Sequence, residues 1–401
     1  MKVVQINATY GIGSTGFIVK DIDELLTKKG IASYVVTPIA TSSSERIINI
    51  GNALDRKWHA LMTRILGHQC YGSKTATKKM LKKLDAIKPD IVHLHNLHSN
   101  YINFNLLFDY LEKNDIHTVI TLHDCWFFTG KCFHYVAEGC DKWKTECFAC
   151  PRNKKDVPSV LFDKSKSVYK DKKYAYSKLK NLYVVSVSKW MQSQVRQSIL
   201  NVGQLHQIYN GIDLSIFYDR GKVWSKEQKI DNKFIILGMA NKWFDDKNKK
   251  ALDKVIDSLD NQSILILVGG SNAEIKSDKV YMIDFVSDRD ELAKIYSSAD
   301  VFVNLTWEDS LPTVNMEALA CGTPVVTYDS CGSPEIINKD TGLIIPQGDI
   351  NELMNAIQLI KKNGKFLYAE HCTRRAKECF EKETQYEKYI ALYRQICEEN
   401  K

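Results

Sequence analysis

The chain has 401 residues, 44% of them hydrophobic and 26% charged, with a formal net charge of +7. That length allows two or three domains, each large enough for its own core, and the balance is that of a globular α/β protein, not of a disordered or fibrous one. No run approaches the ~20 apolar residues of a membrane span and no signal-peptide pattern precedes the first strand, so a cytoplasmic protein with reduced cysteines is expected.

Lys2 to Asn7 is an apolar-rich strand that runs into Y-G-I-G-S-T-G, where Gly11, Gly13 and Gly16 are spaced as G-x-G-x-x-G. Phe17 to Lys29 follows with helical spacing, Ile18, Ile22, Leu25 and Leu26 on one face. Strand, glycine loop and helix are the opening of a dinucleotide site. The second strand, Ala32 to Pro38, ends without the acidic residue that holds a nicotinamide ribose, so an oxidoreductase is the least favoured function. From Asp55 to Pro89 nine Lys/Arg stand against two acidic residues, and from Pro151 to Lys180 ten stand against three. Such excesses are commonly solvated helix faces. Trp58, Leu61, Met62, Ile65 and Leu66 beside Arg56, Lys57 and Arg64 also suit peripheral contact with an anionic membrane or a lipid-diphosphate acceptor. No nucleic-acid-binding motif is present.

Pro89 to Leu94 reads as a buried strand, with His95, Asn96 and His98 in the loop after it. Ile102 to Lys113 reads as a helix and Thr118 to Leu122 as a strand ending in His123-Asp124, the carboxyl end where parallel sheets bind ligands. Cys125 to Pro151 holds five of the eleven cysteines. Cys132, Cys140, Cys147 and Cys150 form C-x7-C-x6-C-x2-C, which suits a structural tetrahedral zinc, with His134 able to replace one ligand. The competing reading is a loop of free thiols. Leu182 to Val187 is the next strand, Ser188 opens a helix, and Asn210-Gly211-Ile212-Asp213 marks a turn by its chemistry.

Lys233 to Ala240 starts the second domain. Lys242 and Lys247, in the loop after it, can reach one diphosphate. Ser263 to Gly270, Val280 to Phe285 and a helix over Asp288 to Ser297 lead to a strand at Val301 to Leu305. A loop from Thr306 to Pro312 follows, then a helix capped by Thr313 and stopped by Gly322, then a strand at Pro324 to Tyr328. Glu308, with Asp309 beside it, and Glu317 are carboxylates suited to accept the paired hydroxyls of a sugar and a ribose. The amides around Leu311 to Val314 open a helix and favour an anion. Sugar and diphosphate together make a nucleoside diphosphate sugar.

E-A-L-A-C-G-T-P-V-V at 317–326 and G-S-P-E-I-I at 332–337 resemble the donor-site signature of retaining glycosyltransferases of family 4, of polysaccharide-assembly type. The family leaves seven residues between its two acids, whereas Glu308 and Glu317 have eight between them and Asp309 and Glu317 have seven. Either Glu308 or Asp309 takes the first role, with Glu308 preferred on E-D-x-L-P. T-L-H-D resembles the motif whose histidine reaches the donor sugar, which implies that role for His123, with Asp124 orienting it. The glycine loop, Gly13 included, is similar to one whose bare backbone lines the interdomain cleft. Lys242 stands where the family has Arg, and Asn248 where it has Gly.

The resemblance implies a GT-B fold, two Rossmann-like domains facing a cleft: an acceptor domain at 1–205 with the cysteine-rich insertion at 125–151, a donor domain at 206–378, and a terminal helix at 379–401 returning to the first. It implies donor contacts from Gly13, Lys242, Lys247, Asp309, Leu311, Pro312, Thr313 and Glu317, no cofactor for catalysis, and transfer to a glycan or lipid-linked saccharide in capsule, O-antigen or exopolysaccharide assembly. A nucleotide-sugar epimerase, a phosphorylase or a non-catalytic binder on the same frame are the alternatives.

Overall fold

The computed structural model describes residues 1–270 and 277–398. The chain divides into two compact units, one of Met1–Tyr209 plus the chain from Glu383 onward, the other of Asn210–Lys382. The first is built on seven parallel strands: β1 (Lys2–Ile6), β2 (Ala32–Thr37), β3 (Ile47–Asn49), β4 (Ile91–Leu94), β5 (His117–Leu122), β6 (Leu182–Ser186) and β7 (Gln204–Gln207), in the order β3-β2-β1-β4-β5-β6-β7. The second has six: β8 (Phe234–Met239), β9 (Ser263–Val268), β10 (Val280–Ile283), β11 (Val301–Asn304), β12 (Val325–Tyr328) and β13 (Gly342–Ile345), ordered β10-β9-β8-β11-β12-β13. The central strands are buried on both faces, which is why they read as unbroken apolar runs. In each sheet the direction of chain progression reverses once, between β1 and β4 and between β8 and β11. The carboxyl ends at that point are where an open α/β sheet binds its ligand.

Several boundaries differ from the sequence expectation. β7 pairs with β6, Tyr183 opposite Gln204 through Ser186 opposite Gln207, so the first unit runs to Tyr209 and not to 205. The helix after β1 begins at Gly13, inside the glycine loop, with Ile12 at its N-cap. Thr313 is the first residue of its helix, Thr313–Ala320, and makes no capping hydrogen bond; Pro312 precedes it.

The last helix is Lys382–Glu398, separate from Phe366–Phe380. Its Tyr386, Tyr389, Ile390, Tyr393 and Ile396 are buried against Val3, Ile18, Ile22 and Leu26, so it completes a core of the first unit. Where the chain enters and leaves the second unit, Ile212 donates its N–H to Phe380 O at 2.8 Å and accepts from Lys382 N at 3.0 Å. The Lys382 ammonium meets Asp213 at 2.6 Å.

Candidate active site

In the first unit, polar groups gather where β1 and β4 end. Gly11 has φ +71° and a Cβ there would run into Thr41 Oγ1, so only glycine fits the turn. Gly13, at φ +66°, opens the helix with nothing near its missing Cβ. Asn7 Oδ1 accepts from Asn96 N at 3.1 Å and its Nδ2 donates to Thr9 O at 2.7 Å, tying the β1 and β4 loops together.

A buried chain of side chains fixes His123. Gln5 Nε2 donates to Val19 O at 3.3 Å, which leaves its Oε1 to accept from His95 Nε2 at 3.2 Å. Burial, then the neighbouring His93 and His123, hold the His95 pKa well below the ordinary range. Neutral His95 therefore has a bare Nδ1, which accepts from His123 Nε2 at 3.0 Å. His123 is itself pushed down to about 4, chiefly by burial. Its Nδ1 is left as a buried lone pair with no hydrogen-bond partner among the described residues. A main-chain carbonyl thus dictates, through two side chains, which nitrogen of His123 accepts a proton.

Asp124 does not hydrogen-bond to His123, contrary to the orienting role expected of it. Its Oδ2 meets His98 Nε2 at 2.8 Å and its Oδ1 accepts from Trp126 N at 2.8 Å. Burial, which raises its pKa, is outweighed by His98 and that amide, which hold the carboxyl below the usual range. Beside His98 opens a cavity of about 740 Å³ lined by Lys57, Arg64, Gln69, Asn100 and Phe133 among others. Its Lys57, Leu61 and Arg64 come from the helix Ala53–Leu66, whose Leu54 and Trp58 are 75% and 64% exposed. Val160 donates to Arg64 O at 2.8 Å, so exposed Val160, Leu161 and Phe162 continue that apolar face.

In the second unit the loop after β8 carries Lys242 and Lys247, the latter with its ammonium 4.6 Å from the centre of the Trp307 ring. Asn248, fully buried, clips this loop to the end of β11. Its Nδ2 donates to Lys242 O at 2.8 Å and to Leu305 O at 2.7 Å, while its Oδ1 accepts from Trp307 Nε1 at 2.9 Å and Tyr328 OH at 3.3 Å. After β11, Thr306 Oγ1 donates to Glu308 O at 3.1 Å, and Asp309 Oδ1 accepts from Leu311 N at 3.1 Å. The Asp309 carboxylate is thus part of the turn that brings buried Leu311 and Pro312 to the start of the helix. Thr313 and Val314 supply its first amides, which no intrahelical carbonyl can satisfy.

One turn on, Glu317 is largely enclosed. Burial pushes its pKa from the ordinary 4.5 up to about 7, against the opposing pull of Arg289 and of Tyr296, whose OH lies 3.3 Å from Oε2. The four cysteines Cys132, Cys140, Cys147 and Cys150 lie elsewhere in the first unit, around one small cavity that His134 does not line.

Two Rossmann-like parallel sheets, each with polar groups at its reversal point, define a protein of the GT-B class. Residues 18–216 match the family model described as Glycosyltransferase Family 4 and residues 222–379 the one described as Glycosyl transferases group 1, and the chain belongs to this family of glycosyltransferases. The putative colanic acid biosynthesis glycosyl transferase WcaC of Escherichia coli (strain K12) is 23% identical over 378 residues, 90% of each chain. The capsular polysaccharide biosynthesis glycosyltransferase CapM of Staphylococcus aureus is 27% identical over 165 residues, 37% of this chain and 43% of its own. Among solved structures, the sucrose-phosphate synthase of Thermosynechococcus elongatus matches at TM-score 0.70 with 19% identity, covering 98% of both chains. Anabaena HepE in complex with UDP matches at 0.65 with 14% identity, covering 98% of this chain and 100% of that one.

Proposed function

We propose that this glycosyltransferase moves a sugar from a nucleoside diphosphate sugar to an acceptor hydroxyl with retention of anomeric configuration, in the assembly of a surface polysaccharide. The observation that carries the proposal is the second unit's ligand-binding edge. The loop after β8, which carries two lysines, is pinned by Asn248 to Leu305 just past the end of β11, and the opening amides of the helix Thr313–Ala320 and the largely enclosed carboxyl of Glu317 follow that strand in the chain.

Glu317 takes the ribose hydroxyls; burial disfavours its charged form, and the hydroxyls add donors to the one from Tyr296 that stabilise it. Lys242 and Lys247 with the helix amides offset the charge that grows on the departing diphosphate, so no metal is invoked for that step. Glu308 takes the sugar hydroxyls, a choice supported by the use of the Asp309 carboxylate in its own turn. His123 meets the sugar as a neutral imidazole, Gly13 leaves room for donor backbone contact, and Asp124 holds His98 at the wall of the 740 Å³ cavity, where the acceptor binds. The glycan or lipid-linked acceptor approaches along the apolar, basic face of the helix Ala53–Leu66, which also touches an anionic membrane. The WcaC relative, of colanic acid biosynthesis, and the CapM relative, of capsular polysaccharide biosynthesis, support the pathway class.

The test is a panel of UDP-, GDP- and ADP-sugars against the wild type and Glu317→Ala, read by thermal shift, by donor hydrolysis and by the anomeric configuration of the product. A donor at 100 Kd stabilises the wild type by about 2.7 kcal/mol, and the variant loses that shift. A product of inverted configuration, or no donor binding at millimolar concentration, overturns the proposal. Donor binding with neither hydrolysis nor transfer to any glycan or lipid-linked saccharide assigns the chain as a binder.

A further inference from the structure

From His123 to Lys164 the chain has no α-helix or strand, only short 3-10 turns at Val136–Glu138 and Lys142–Lys144. An irregular segment of that length inside a compact unit needs something other than backbone ladders to hold it. Part of the answer is a partly buried set of charges: Arg152 meets Glu138 at 2.6 Å and Asp156 at 2.8 Å, and Asp156 also accepts from Phe133 N at 2.9 Å. The cysteines form a second arrangement.

Cys132, Cys140, Cys147 and Cys150, separated by up to eighteen positions in sequence, line a single cavity of about 20 Å³, with Trp143 and Phe148 in its wall. All four are free of disulfides. Gly130 donates its N–H to Cys147 Sγ at 3.2 Å, an amide-to-sulfur bond that stabilises a thiolate. Between Cys147 and Cys150 the backbone turns through Ala149 at φ +42°, and the Lys142 ammonium closes that turn on Phe148 O and Ala149 O, both at 3.1 Å. Lys131 and Lys142 both border the cavity. Two cations beside four thiols are ill suited to a merely apolar pocket, and they match the net charge of a divalent ion held by four thiolates. Trp143, in the same wall, has a buried Nε1–H without an acceptor among the described residues, which a thiolate would satisfy.

We infer that Cys132, Cys140, Cys147 and Cys150 bind one divalent thiophilic ion of the zinc type as a closed, structural four-thiolate site. Among the described residues no three potential ligands already stand at coordinating spacing, so rotation about the cysteine side chains brings the sulfurs onto the ion. Binding releases one proton from each thiol and involves no change of oxidation state: one zinc ion and four thiols give a complex of net charge −2 and four protons, with Lys131 and Lys142 opposite that charge. Four ligands leave no open position, so the ion takes no part in sugar transfer. The inference is independent of the proposed reaction.

The experiment is metal analysis of protein purified without chelator or added metal, by mass spectrometry for zinc and iron together. About one zinc per chain is expected, falling below about a tenth in Cys132→Ser and Cys147→Ser and unchanged in Cys331→Ser, a cysteine of the other unit. If the ligand variants do not fold, cobalt exchange of the wild type replaces them: tetrahedral thiolate coordination gives strong visible d–d bands and near-ultraviolet sulfur-to-cobalt charge transfer. Protein that is folded, metal-free and silent with cobalt overturns the inference. So do iron in place of zinc, and disulfides among the four cysteines in freshly purified protein.

Discussion

Replacing Glu317 by glutamine separates binding from stability, because the two respond in opposite directions. A carboxyl whose folded pKa is about 7 against an ordinary 4.5 holds its proton more tightly folded than unfolded. Between those values the folded state carries more protons, so stability falls as pH rises through the window and the loss is complete above 7. The gap corresponds to about 3 kcal/mol. Glutamine keeps the shape, carries no charge and removes that penalty. For a unit the size of Asn210–Lys382, each kcal/mol moves the melting temperature by about 2–4 °C, so ligand-free Glu317→Gln should melt about 6–12 °C above wild type at pH 8 and close to it at pH 4. With donor present the order reverses: hydrogen bonds from ribose hydroxyls to a charged carboxylate are worth about 1.5–3 kcal/mol, so the variant should bind donor roughly ten- to hundredfold more weakly. Scanning calorimetry at both pH values, with and without donor, reads all four states. A melting difference that is the same at pH 4 and pH 8 would refute the burial of this carboxyl as the source of the effect.

Asn248→Ala removes four hydrogen bonds and strands the buried carbonyls of Lys242 and Leu305; at about 1 kcal/mol each it should cost about 4 kcal/mol, visible in urea unfolding, and a cost below about 0.5 would show the clip to be idle. The first unit should behave in the opposite sense to Glu317. Burial lowers His59 and His123 to about 4 each, so stability is whole above pH 6.5 and is lost as pH falls toward 4, and His59→Gln should flatten that acid limb in denaturant titrations at pH 5 and 7. Leu54→Ser with Trp58→Ser should reduce sedimentation with anionic vesicles by about tenfold without changing the melting temperature by more than about 1 °C, since both side chains are exposed; unaltered sedimentation would exclude this face. Nitrogen-15 spectra should give His123 a bare Nδ1 and a protonated Nε2, and Gln5→Leu should disturb that tautomer.

The two sheets were legible because both faces of each central strand are buried, and burial on both faces writes itself as an apolar run; Val301–Asn304 and Val325–Tyr328 fall where the sequence puts them. What escaped are contacts between residues far apart in the chain. Asn248 reads as a polar replacement at a glycine position, and only the approach of Leu305, Trp307 and Tyr328 turns it into a fourfold clip. Asp124 looks like the partner of the adjacent His123, yet neighbours at the end of a strand point apart, and His98 in the β4 loop claims it. One signal was available: His93 in β4 and His95 just past its end are two apart and so share a face, the same face from which Gln5 of β1 reaches His95. The difference at residue 205 came from β7, whose half-buried Gln204–Gln207 has too little apolar character to announce a strand.

The clasp of Ile212 with Phe380 and Lys382 makes the second unit a contiguous insertion, closed at its own neck, into a first unit whose chain is split. On the ribosome, residues 1–209 emerge first but lack the tyrosine-rich helix that covers Val3, Ile18 and Leu26, while 210–382 carries everything its own core uses. Synthesis therefore runs against the usual order, in which the N-terminal unit matures first. The later-made segment can close on itself while the earlier one waits, its apolar surface open, for the helix Lys382–Glu398. Truncation after Lys382 should leave the second unit folded and the first one unfinished.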